Sequence, residues 1–481
     1  MTKDLTKGSP MKLMFSFGFP LLLGFLFQQL YNLVDTAIVG KTLGGDALAA
    51  VGATGSINFL VVGFVSGICG GFAIPAAQQF GAQNPKELRR FVTGSVWLCL
   101  VFGLVITVAT ALLCDSILTV MHTPNEIFHR AYVYICTIFC GIPAYFLYNM
   151  CASILRSLGD SRTPVVWLVI ASLVNVVLDI VFILSFGMDV FGAAFATVLA
   201  QLLAGLGCLV RLCRGFPILR MEKGDWKLDK GRLGRLCAMG LPMGLQYSIT
   251  AIGSIVLQAA VNDLGTTYIT AVTAGSKVSM FLCCPFDAMG ATMATYCGQN
   301  VGALKLGRLG QGIRSCALLG VICSGAILLS MVLFSGQCAM LFLDSKEPQL
   351  ELLRSLTSQY ILINSAFCIP LSLVNIVRFS IQGMGYSVFA ILAGVLEMAA
   401  RVGVAYFLVP ALGYAAACFA SPAAWISADA FLIPACMLCI ARLRRRYPDE
   451  DGMPQQVPAP VGQPCVGEIG AGVSKMPHMT K

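Results

Sequence analysis

Two aspartic acids lie deep inside apolar stretches of this sequence, where an ionised side chain is costly to keep. Asp35 lies in the segment LYNLVDTAIVG and Asp179 in the segment NVVLDIVF, each within a longer hydrophobic run. Ionisable residues in such surroundings generally face a cavity or a partner, and they often mark a functional site. The two acids are therefore the first candidates for chemistry in this chain.

Polar residues accompany Asp35 at helical spacing. Gln28, Tyr31 and Asn32 precede it by one or two turns, so that all four side chains fall on one face of a helix. One interpretation is that this face lines a substrate cavity. The other is that neighbouring amides satisfy a buried carboxylate, because polar residues also hold membrane helices together.

A second polar face surrounds Asp179. Asn175 lies four residues before it, and the next apolar segment carries Thr197 and Gln201 at the same spacing, while Asn149 lies on the preceding segment. Oxygen ligands such as these can coordinate Na⁺, and two carboxyl groups held close together can share one proton. We therefore predict that the two carboxyl groups, with their amide and hydroxyl neighbours, hold a shared proton or coordinate Na⁺.

The elements that must position these residues are membrane-spanning helices. The chain has 481 residues, of which 57% are hydrophobic and only 11% charged, whereas about 25% are charged in a typical soluble domain. About 20 apolar residues cross a bilayer as a helix. The apolar runs predict an all-α polytopic membrane protein with twelve transmembrane helices at residues 13–39, 50–80, 91–114, 131–155, 164–186, 190–212, 236–262, 268–298, 313–336, 355–380, 386–409 and 413–440.

The distribution of positive charge predicts how these helices are oriented. Most lysines and arginines lie near the chain ends or in loops that follow even-numbered helices, including RLCRGFPILRMEKGDWKLDKGRLGR. An excess of Lys and Arg is typical of cytoplasmic loops. We therefore expect both termini in the cytoplasm, the basic stretch against an anionic leaflet, and no nucleic acid as a partner despite the net charge of +9.

The two halves of the chain resemble each other. The basic stretch separates two sets of six predicted helices, and three positions match between them: Pro20 with Pro242, Gly81 with Gly302, and Gly159 with Gly385. Because each half has an even number of helices, the six-helix repeats are parallel, as in transporters with a central substrate site. This predicts a first lobe over residues 1–212, a linker over 213–235, a second lobe over 236–440 and a disordered cytoplasmic tail over 441–481.

The charges of the first half do not recur in the second. Asp35 aligns near a leucine, and Asn175 and Asp179 align with Arg401 and Ala405. The scaffold alone therefore does not require these polar residues, which favours a functional role for them.

The second half has its own ionisable residues inside apolar runs. Glu397 and Arg401 are four residues apart, the spacing of a pair that neutralises itself on a helix. Lys277, Asp287 and Arg378 are left to face a cavity. The predicted substrate cavity comprises Gln28, Tyr31, Asn32, Gln201, Gln258, Lys277, Asp287 and Arg401.

Several motifs resemble one known group of proteins. QQLYNLVDTAIVGKTLG, GAQNPKELRR, LRSLGDSRTP, NVVLDIVF and GQNVGA, in this order, are similar to the multidrug and toxic compound extrusion (MATE) family, and most similar to its DinF-like prokaryotic branch. The resemblance covers residues 10–442. It implies a V-shaped fold of two six-helix lobes and secondary active antiport, in which amphipathic or cationic compounds leave in exchange for H⁺ or Na⁺.

The resemblance also implies roles for individual residues. By resemblance, the cation site of the DinF-like branch corresponds to Asp35, Asn149, Asn175, Asp179 and Thr197, all of which belong to the polar faces described above. In the NorM-type branch an acid lies within the seventh helix, whose body here offers Gln246, Gln258 and Asn262 instead. The family further implies a bacterial cytoplasmic membrane, a monomer, small-molecule substrates and no cofactor besides the coupling ion.

Two other functions are alternatives to antiport. A flippase for lipid-linked oligosaccharides, from the same superfamily, would favour a basic central cavity, which Lys277, Arg378 and Arg401 could supply. An enzyme would need a nucleophile with a base, or a metal site. The chain has only three histidines, none in an H-E-x-x-H motif, and its twenty cysteines lie mostly in apolar runs.

Overall fold

The computed structural model describes residues 3–121, 123–343 and 349–448, and the regular elements in that part of the chain are helices. Two of these helices, Arg162–Ile180 and Ser387–Gly403, continue through π-helical turns at Val181–Ser185 and Val404–Leu408. The twelve helices are α1 (Pro10–Leu43), α2 (Gly45–Gly81), α3 (Pro85–Val120), α4 (Asn125–Cys140 and Ile142–Ser157), α5 (Arg162–Ile180), α6 (Asp189–Gly215), α7 (Lys230–Asn262), α8 (Thr266–Gly302), α9 (Gly307–Met340), α10 (Leu350–Ala366 and Cys368–Gly383), α11 (Ser387–Gly403) and α12 (Tyr414–Arg446).

Two of the twelve helices are broken in the middle. α4 bends by 45° between its two segments and α10 bends by 49°. Pro143 and Pro370 lie just after the breaks, and a proline lacks the backbone N–H that would continue the helical hydrogen bonds. The other ten helices are long and apolar enough to cross a membrane, and each bent pair supplies one further crossing. The predicted twelve-helix membrane protein is thus confirmed.

The backbone repeats the same special features in both halves. The breaks in α4 and α10 and the π-helical turns after α5 and α11 recur at matching places. Positive φ angles recur in the same way. They occur at Gly44 and Gly265, at Gln83 and Leu304, at Gly159 and Gly385, and at Gly187 and Gly413. The internal repeat found in the sequence is therefore also present in the conformation of the turns.

The outer surface of the bundle is apolar. Leu104 and Leu112 on α3 are 67% and 78% exposed, and Leu329 on α9 is 64% exposed. Exposed leucines in such numbers are unfavourable against water, but they match the hydrocarbon of a bilayer. These helices therefore present a lipid-facing surface, and the chain is a multi-pass membrane protein.

One end of the bundle, here called the linker face, is formed by residues 3–9, 82–84, 158–161, 216–229 and 303–306. At this face α2 and α8 cross in backbone contact. A methyl group added at Gly81 would lie 2.0 Å from the carbonyl oxygen of Gln299, and one at Gly302 would lie 1.8 Å from that of Gln78. Only glycine, which lacks a Cβ, permits this approach. Gly81 and Gly302 are matched in the repeat, so the crossing is pseudo-symmetric.

The glutamines beside these glycines fasten the crossing. Gln78 Nε2 donates to the carbonyl oxygen of Gly383 at 3.2 Å, and Gln299 Nε2 donates to that of Ser157 at 2.8 Å. Both glutamines are buried. Each half therefore donates a hydrogen bond to the end of the broken helix of the other half. These two contacts close the linker face between the halves.

The N-terminal segment adds a strap across the closed face. Lys3 N donates to Gly159 O at 3.0 Å in the first half, and Leu5 N donates to Gln299 Oε1 at 3.0 Å in the second. Lys305 Nζ donates to Thr6 O at 2.9 Å. Because the strap bonds to both halves, it stabilises the closed arrangement.

The chain between α6 and α7 is an ordered connection held by ion pairs. Arg89 at the start of α3 donates from Nε to Asp225 Oδ2 at 2.6 Å and pairs with Glu222 at 2.8 Å. Burial alone would raise the pKa of Asp225, but hydrogen bonds from Glu222 N and Arg89 hold it below its ordinary value. At the other end of the chain α12 continues to Arg446, past the predicted boundary at 440, and residues 449–481 of the predicted tail lie outside the described part.

Candidate functional site

Asp35 and Asp179 face each other across α1 and α5. Their carboxyl groups are close enough to interact electrostatically with one another. Asp179 is fully buried and is the last residue but one of α5, next to the π-helical turn. π-helical turns are frequent at functional sites because they shift the register of the side chains that follow. The structure thus brings together the two acids that the sequence singled out.

Asn175 and Thr197 complete a network around Asp179. The orientation of the Asn175 amide that satisfies both of its groups has Nδ2 donating to Asp179 Oδ2 at 2.9 Å and Oδ1 accepting from Thr197 N at 3.1 Å. Asn175 is fully buried and Thr197 nearly so. The i, i+4 spacing on α5 therefore places an amide directly against one of the acids, as predicted.

The direction of the hydrogen bonds at Thr197 follows from its single proton. Thr197 Oγ1 donates to Ala193 O at 3.0 Å within α6. Its contact of 3.3 Å with the Tyr31 hydroxyl is then one in which Tyr31 donates. Tyr31 belongs to the same face of α1 as Asp35. This contact links the polar face of α1 to Thr197, the predicted cation-site residue of α6.

Each acid keeps one oxygen without a hydrogen-bond partner among the described residues. These atoms are Asp35 Oδ1 and Asp179 Oδ1, and both are shielded from solvent. Neither acid forms a salt bridge with a basic residue in the described part of the chain, so nothing there balances their charge. A buried acceptor without a donor is costly. The two free oxygens can accept a proton or coordinate a small hard cation such as Na⁺.

Asn149 lies apart from this network. Its Nδ2 donates to Tyr145 O at 2.9 Å on its own helix, and its Oδ1 accepts from Ser66 Oγ at 3.1 Å on α2. Both ends of the amide are therefore engaged elsewhere. Of the predicted cation-site residues, Asn149 is the one that the structure does not bring to the acids.

A narrow cleft lies between α1, α5 and α6, and its lining residue Tyr31 is one turn before Asp35 on α1. Gln28, Tyr31, Ser172 and Gln201 contribute its polar lining, together with small and apolar side chains of α5 and α6. Gln201 Oε1 is shielded from solvent and has no partner among the described residues. Asn32, the other predicted cavity residue of α1, is exposed and is not part of this lining.

The second half contains a buried ionic cluster. Glu397 on α11 pairs with Arg401 at 3.6 Å and also accepts a hydrogen bond from Arg378 Nη2 on α10. All three side chains are buried, and the buried Asp429 on α12 lies within electrostatic range of Arg378. The predicted Glu397–Arg401 pairing is present. Arg378, expected to face a cavity, is instead the second partner of Glu397.

The remaining predicted cavity residues are scattered. Gln258 donates to Asn262 Oδ1 at 3.0 Å on its own helix. Lys277 is exposed and has its Nζ 6.0 Å from the centre of the Phe342 ring. Asp287 is in the body of α8 and lies near Tyr247 of α7. Of these three, Asp287 is the one whose neighbours lie on another helix inside the bundle.

Sequence reasoning missed two tyrosines near the acids and one partner of Glu397. Tyr134 and Tyr145, in the two segments of α4, lie within electrostatic range of Asp35. The break in α4 shifts the helical register between them, so no single periodicity in the sequence connects both to the site. Arg378 is recognisable in the sequence as an ionisable residue in an apolar run, but its pairing with Glu397 is not, because that contact joins two different helices.

Comparisons with known proteins agree with this architecture. The MatE family profile matches residues 20–181 and 242–407. The chain is 30% identical to the probable multidrug resistance protein YoeA of Bacillus subtilis (strain 168), over 72% of this chain and 76% of the relative. It is 27% identical to the DNA damage-inducible protein F of Escherichia coli (strain K12), over 69% and 73% of the two chains.

A solved structure supports the fold. The crystal structure of a MATE protein in complex with MaL6 superposes with a TM-score of 0.86 at 22% sequence identity, covering 92% of this chain and 100% of that one. The two matched segments of the family profile fall in the two repeats. Members of this family are transporters and not enzymes, and the chain belongs to the MatE family of multidrug efflux transporters, as a DinF-like member.

Proposed function

We propose that this chain is a secondary active antiporter that exports amphipathic or cationic compounds in exchange for H⁺ or Na⁺. The observation that carries the proposal is the facing pair Asp35 and Asp179, each with one shielded oxygen that has no partner among the described residues. Two such carboxyl groups repel each other when both are ionised. A bound proton or Na⁺ removes that repulsion, so ion binding and the distance between α1 and α5 are coupled.

The same pair is positioned to communicate with substrate. Tyr31 lines the cleft with Gln28 and Gln201 and also donates to Thr197 in the cation site. A change in the spacing of α1 and α5 therefore alters the cleft. Loading the acids with a cation favours one arrangement of the cleft and a bound compound favours the other, which is the linkage that an exchanger needs.

Alternating access requires that the path close on one side at a time. The linker face is closed by the α2–α8 crossing and by the N-terminal strap. We propose that this face is cytoplasmic in a bacterial cytoplasmic membrane, as the positive charge of its loops indicates. This conformation then bars the path from the cytoplasm, and substrate enters after the crossing opens. The transporter is proposed to act as a monomer with two lobes, residues 1–212 and 236–440.

Proteoliposome transport under separately imposed gradients tests the proposal. Efflux of the fluorescent cation ethidium is followed under a proton gradient alone and a sodium gradient alone, in wild type, Asp35→Asn and Asp179→Asn. Asp115→Asn, which changes an exposed acid of α3, is the matched control. We expect gradient-driven efflux to fall at least about tenfold in both site variants and to persist in the control. Undiminished gradient-driven efflux in both site variants rejects the coupling site.

The alternative of a lipid-linked oligosaccharide flippase finds little support in the second half. It requires unneutralised cations, but Arg378 and Arg401 share the buried Glu397 and Lys277 is exposed beside Phe342. The same proteoliposomes distinguish the two functions. Translocation of a fluorescent polyprenyl lipid without any ethidium efflux supports the flippase.

A further inference from the structure

A shallow cleft at the linker face has no role in the proposed exchange. It lies between the N-terminal parts of α3 and α7 and the linker that precedes α7, and it is here called the linker cleft. The residues that line it include Arg90, Gly94 and Trp97 of α3, Arg232 of α7 and Lys227 of the linker. Because α3 belongs to the first half and α7 to the second, the linker cleft lies where both halves meet the linker.

Ion pairs hold the two arginines of the linker cleft in place. Arg90 Nη1 and Arg232 Nε donate to the two carboxylate oxygens of Glu87, at 2.8 Å and 3.2 Å respectively. Longer pairs join Arg90 to Asp225 at 3.8 Å and Arg232 to Asp229 at 3.9 Å. These contacts use some of the N–H donors of each guanidinium group and fix its position. The other donors are thereby preorganised for a further acceptor at the cleft.

The region around the linker cleft carries an excess of positive charge. Residues 87–90 and 220–235 together contain eight lysines and arginines but only four acids. Lys227 is exposed and lines the cleft, and it forms no ion pair with a carboxylate in the described part of the chain. The acids that hold the arginines therefore leave the charge of Lys227 unbalanced. An anionic group that contacts Lys227 and the two arginines together would balance it.

An apolar stripe on α3 begins at the same cleft. Arg90, Gly94, Trp97, Val101 and Leu104 follow one another at intervals of three or four residues, so they share one face of the helix. Trp97 is 39% exposed, Val101 55% and Leu104 67%. Tryptophan is enriched at the level of the lipid headgroups. From Arg90 to Leu104, this face therefore matches a phospholipid in order, from its phosphate to its acyl chains.

The linker is held against this face of α3. Trp226 of the linker contacts Trp97 edge to face, with the ring centres 6.4 Å apart and the ring planes at 90°. Trp226 is nevertheless 44% exposed, and Leu228 is 64% exposed. Large apolar side chains that stay exposed beside a lipid-facing helix match the interface of a bilayer. Lys227, which lies between Trp226 and Leu228 in the chain, is therefore at the level of the headgroups.

We propose that the linker cleft binds an anionic phospholipid from the leaflet on the side of the linker face. Lys227, Arg90 and Arg232 bind its phosphate group, and its acyl chains lie along the stripe from Trp97 to Leu104. Guanidinium and ammonium groups bind phosphate through charge-assisted hydrogen bonds, and basic pockets between transmembrane helices bind lipid headgroups. A zwitterionic lipid balances its own phosphate, so the excess positive charge of the cleft favours an anionic headgroup. This site depends on neither the compound nor the ion of the proposed exchange.

Native mass spectrometry of the full-length protein in detergent counts bound lipids and tests this site. The probes are dioleoyl phosphatidylglycerol, which is anionic, and dioleoyl phosphatidylcholine, which has the same acyl chains and no net charge. Lys227→Gln removes the unbalanced charge of the cleft. The matched control Lys223→Gln makes the same change at an exposed lysine of the linker outside the cleft lining. We expect Lys227→Gln to weaken phosphatidylglycerol binding about tenfold, and Lys223→Gln to bind it as wild type does.

Amide hydrogen exchange shows where the lipid binds. Phosphatidylglycerol should slow exchange in residues 222–229 and at the start of α7 in wild type and in Lys223→Gln, but not in Lys227→Gln. Unchanged phosphatidylcholine binding by Lys227→Gln shows that this variant is folded. An equal loss of phosphatidylglycerol in the two variants, no loss in either, or equal wild-type affinity for the two lipids overturns the inference. Displacement of phosphatidylglycerol by inorganic phosphate also overturns it, because the site would then take free phosphate.

Discussion

The closed linker face makes a strong prediction about one glycine. In Gly302→Ala the new methyl group would lie 1.8 Å from the carbonyl oxygen of Gln78, a backbone atom that cannot turn aside. In real proteins, a Cβ atom is essentially never closer than 3.0 Å to a heavy atom of another residue. The crossing of α2 and α8 must therefore widen by more than about 1 Å, and overpacking of that kind costs about 1–3 kcal/mol.

That cost falls on the closed arrangement. When α2 and α8 separate, the buried hydrogen bonds of Gln78 and Gln299 lengthen, and the strap loses the acceptor of Leu5 N. A penalty of about 2 kcal/mol corresponds to an opening equilibrium raised about 30-fold, because each 1.4 kcal/mol is a factor of ten. Opening of the linker face should become more frequent by that factor.

Amide hydrogen exchange measured by mass spectrometry reports this opening. Peptides covering the strap and the end of α8 should exchange about 30-fold faster in Gly302→Ala, since exchange of protected amides follows the opening equilibrium. Gly325→Ala is the matched control. Gly325 lies inside α9 with no atom within 4 Å of the added methyl group, and alanine favours a helix interior. Equal exchange of the strap in the two variants would refute the idea that the glycine crossing holds this face closed.

Three further predictions concern the cation site, the ionic cluster and the linker. Asn175→Ala removes the donor to Asp179 and should lower gradient-driven efflux several-fold, measured in proteoliposomes beside a conservative Asn175→Ser variant. Glu397→Ala leaves two buried arginines without their shared acid and should destabilise the fold by about 3–5 kcal/mol, visible as a lower thermal unfolding midpoint, whereas an unchanged midpoint argues against the cluster. The pKa of Asp225 is lower in the folded chain than in the unfolded chain, where it is about 3.9. Ionised Asp225 therefore stabilises the linker fully above that pH, and the stabilisation is lost as the pH falls through the lower pKa of the folded state. Limited proteolysis of the linker should therefore accelerate below about pH 4 in wild type, and already at neutral pH in Arg89→Ala.

Much of this architecture was predictable from sequence, for identifiable reasons. The length of each apolar run determines whether it crosses a bilayer, and the twelve helices follow from that alone. The i, i+4 spacing of Asn175 and Asp179, and of Glu397 and Arg401, placed each pair on one face of a helix, where the structure finds them in contact. Interactions within one helix can therefore be predicted from the spacing of residues in the sequence.

Contacts between helices were less predictable. The breaks in α4 and α10 interrupt no apolar run, and the amide of Asn149 is engaged by Tyr145 O and Ser66 Oγ instead of the acids. The pairing of Arg378 with Glu397 and the strap across the linker face join segments far apart in the chain. No local pattern records such contacts, because they depend on the angles at which helices pack.

The internal repeat also shows how the two halves differ at the proposed cation site. Arg401 aligns with Asn175, and the acid that faces Arg401, Glu397, is a residue of the same helix. In the second half, the equivalent region therefore holds the guanidinium group of Arg401, a cation that belongs to the chain itself. Glu397 pairs with it and also with Arg378 of α10. In the proposed antiport, the first half leaves the corresponding charge to a mobile ion at Asp35 and Asp179. The crossing glycines and glutamines are symmetric whereas these charges are not. We therefore expect opening of the linker face to involve both halves alike, and its dependence on an exchangeable ion to arise in the first half alone.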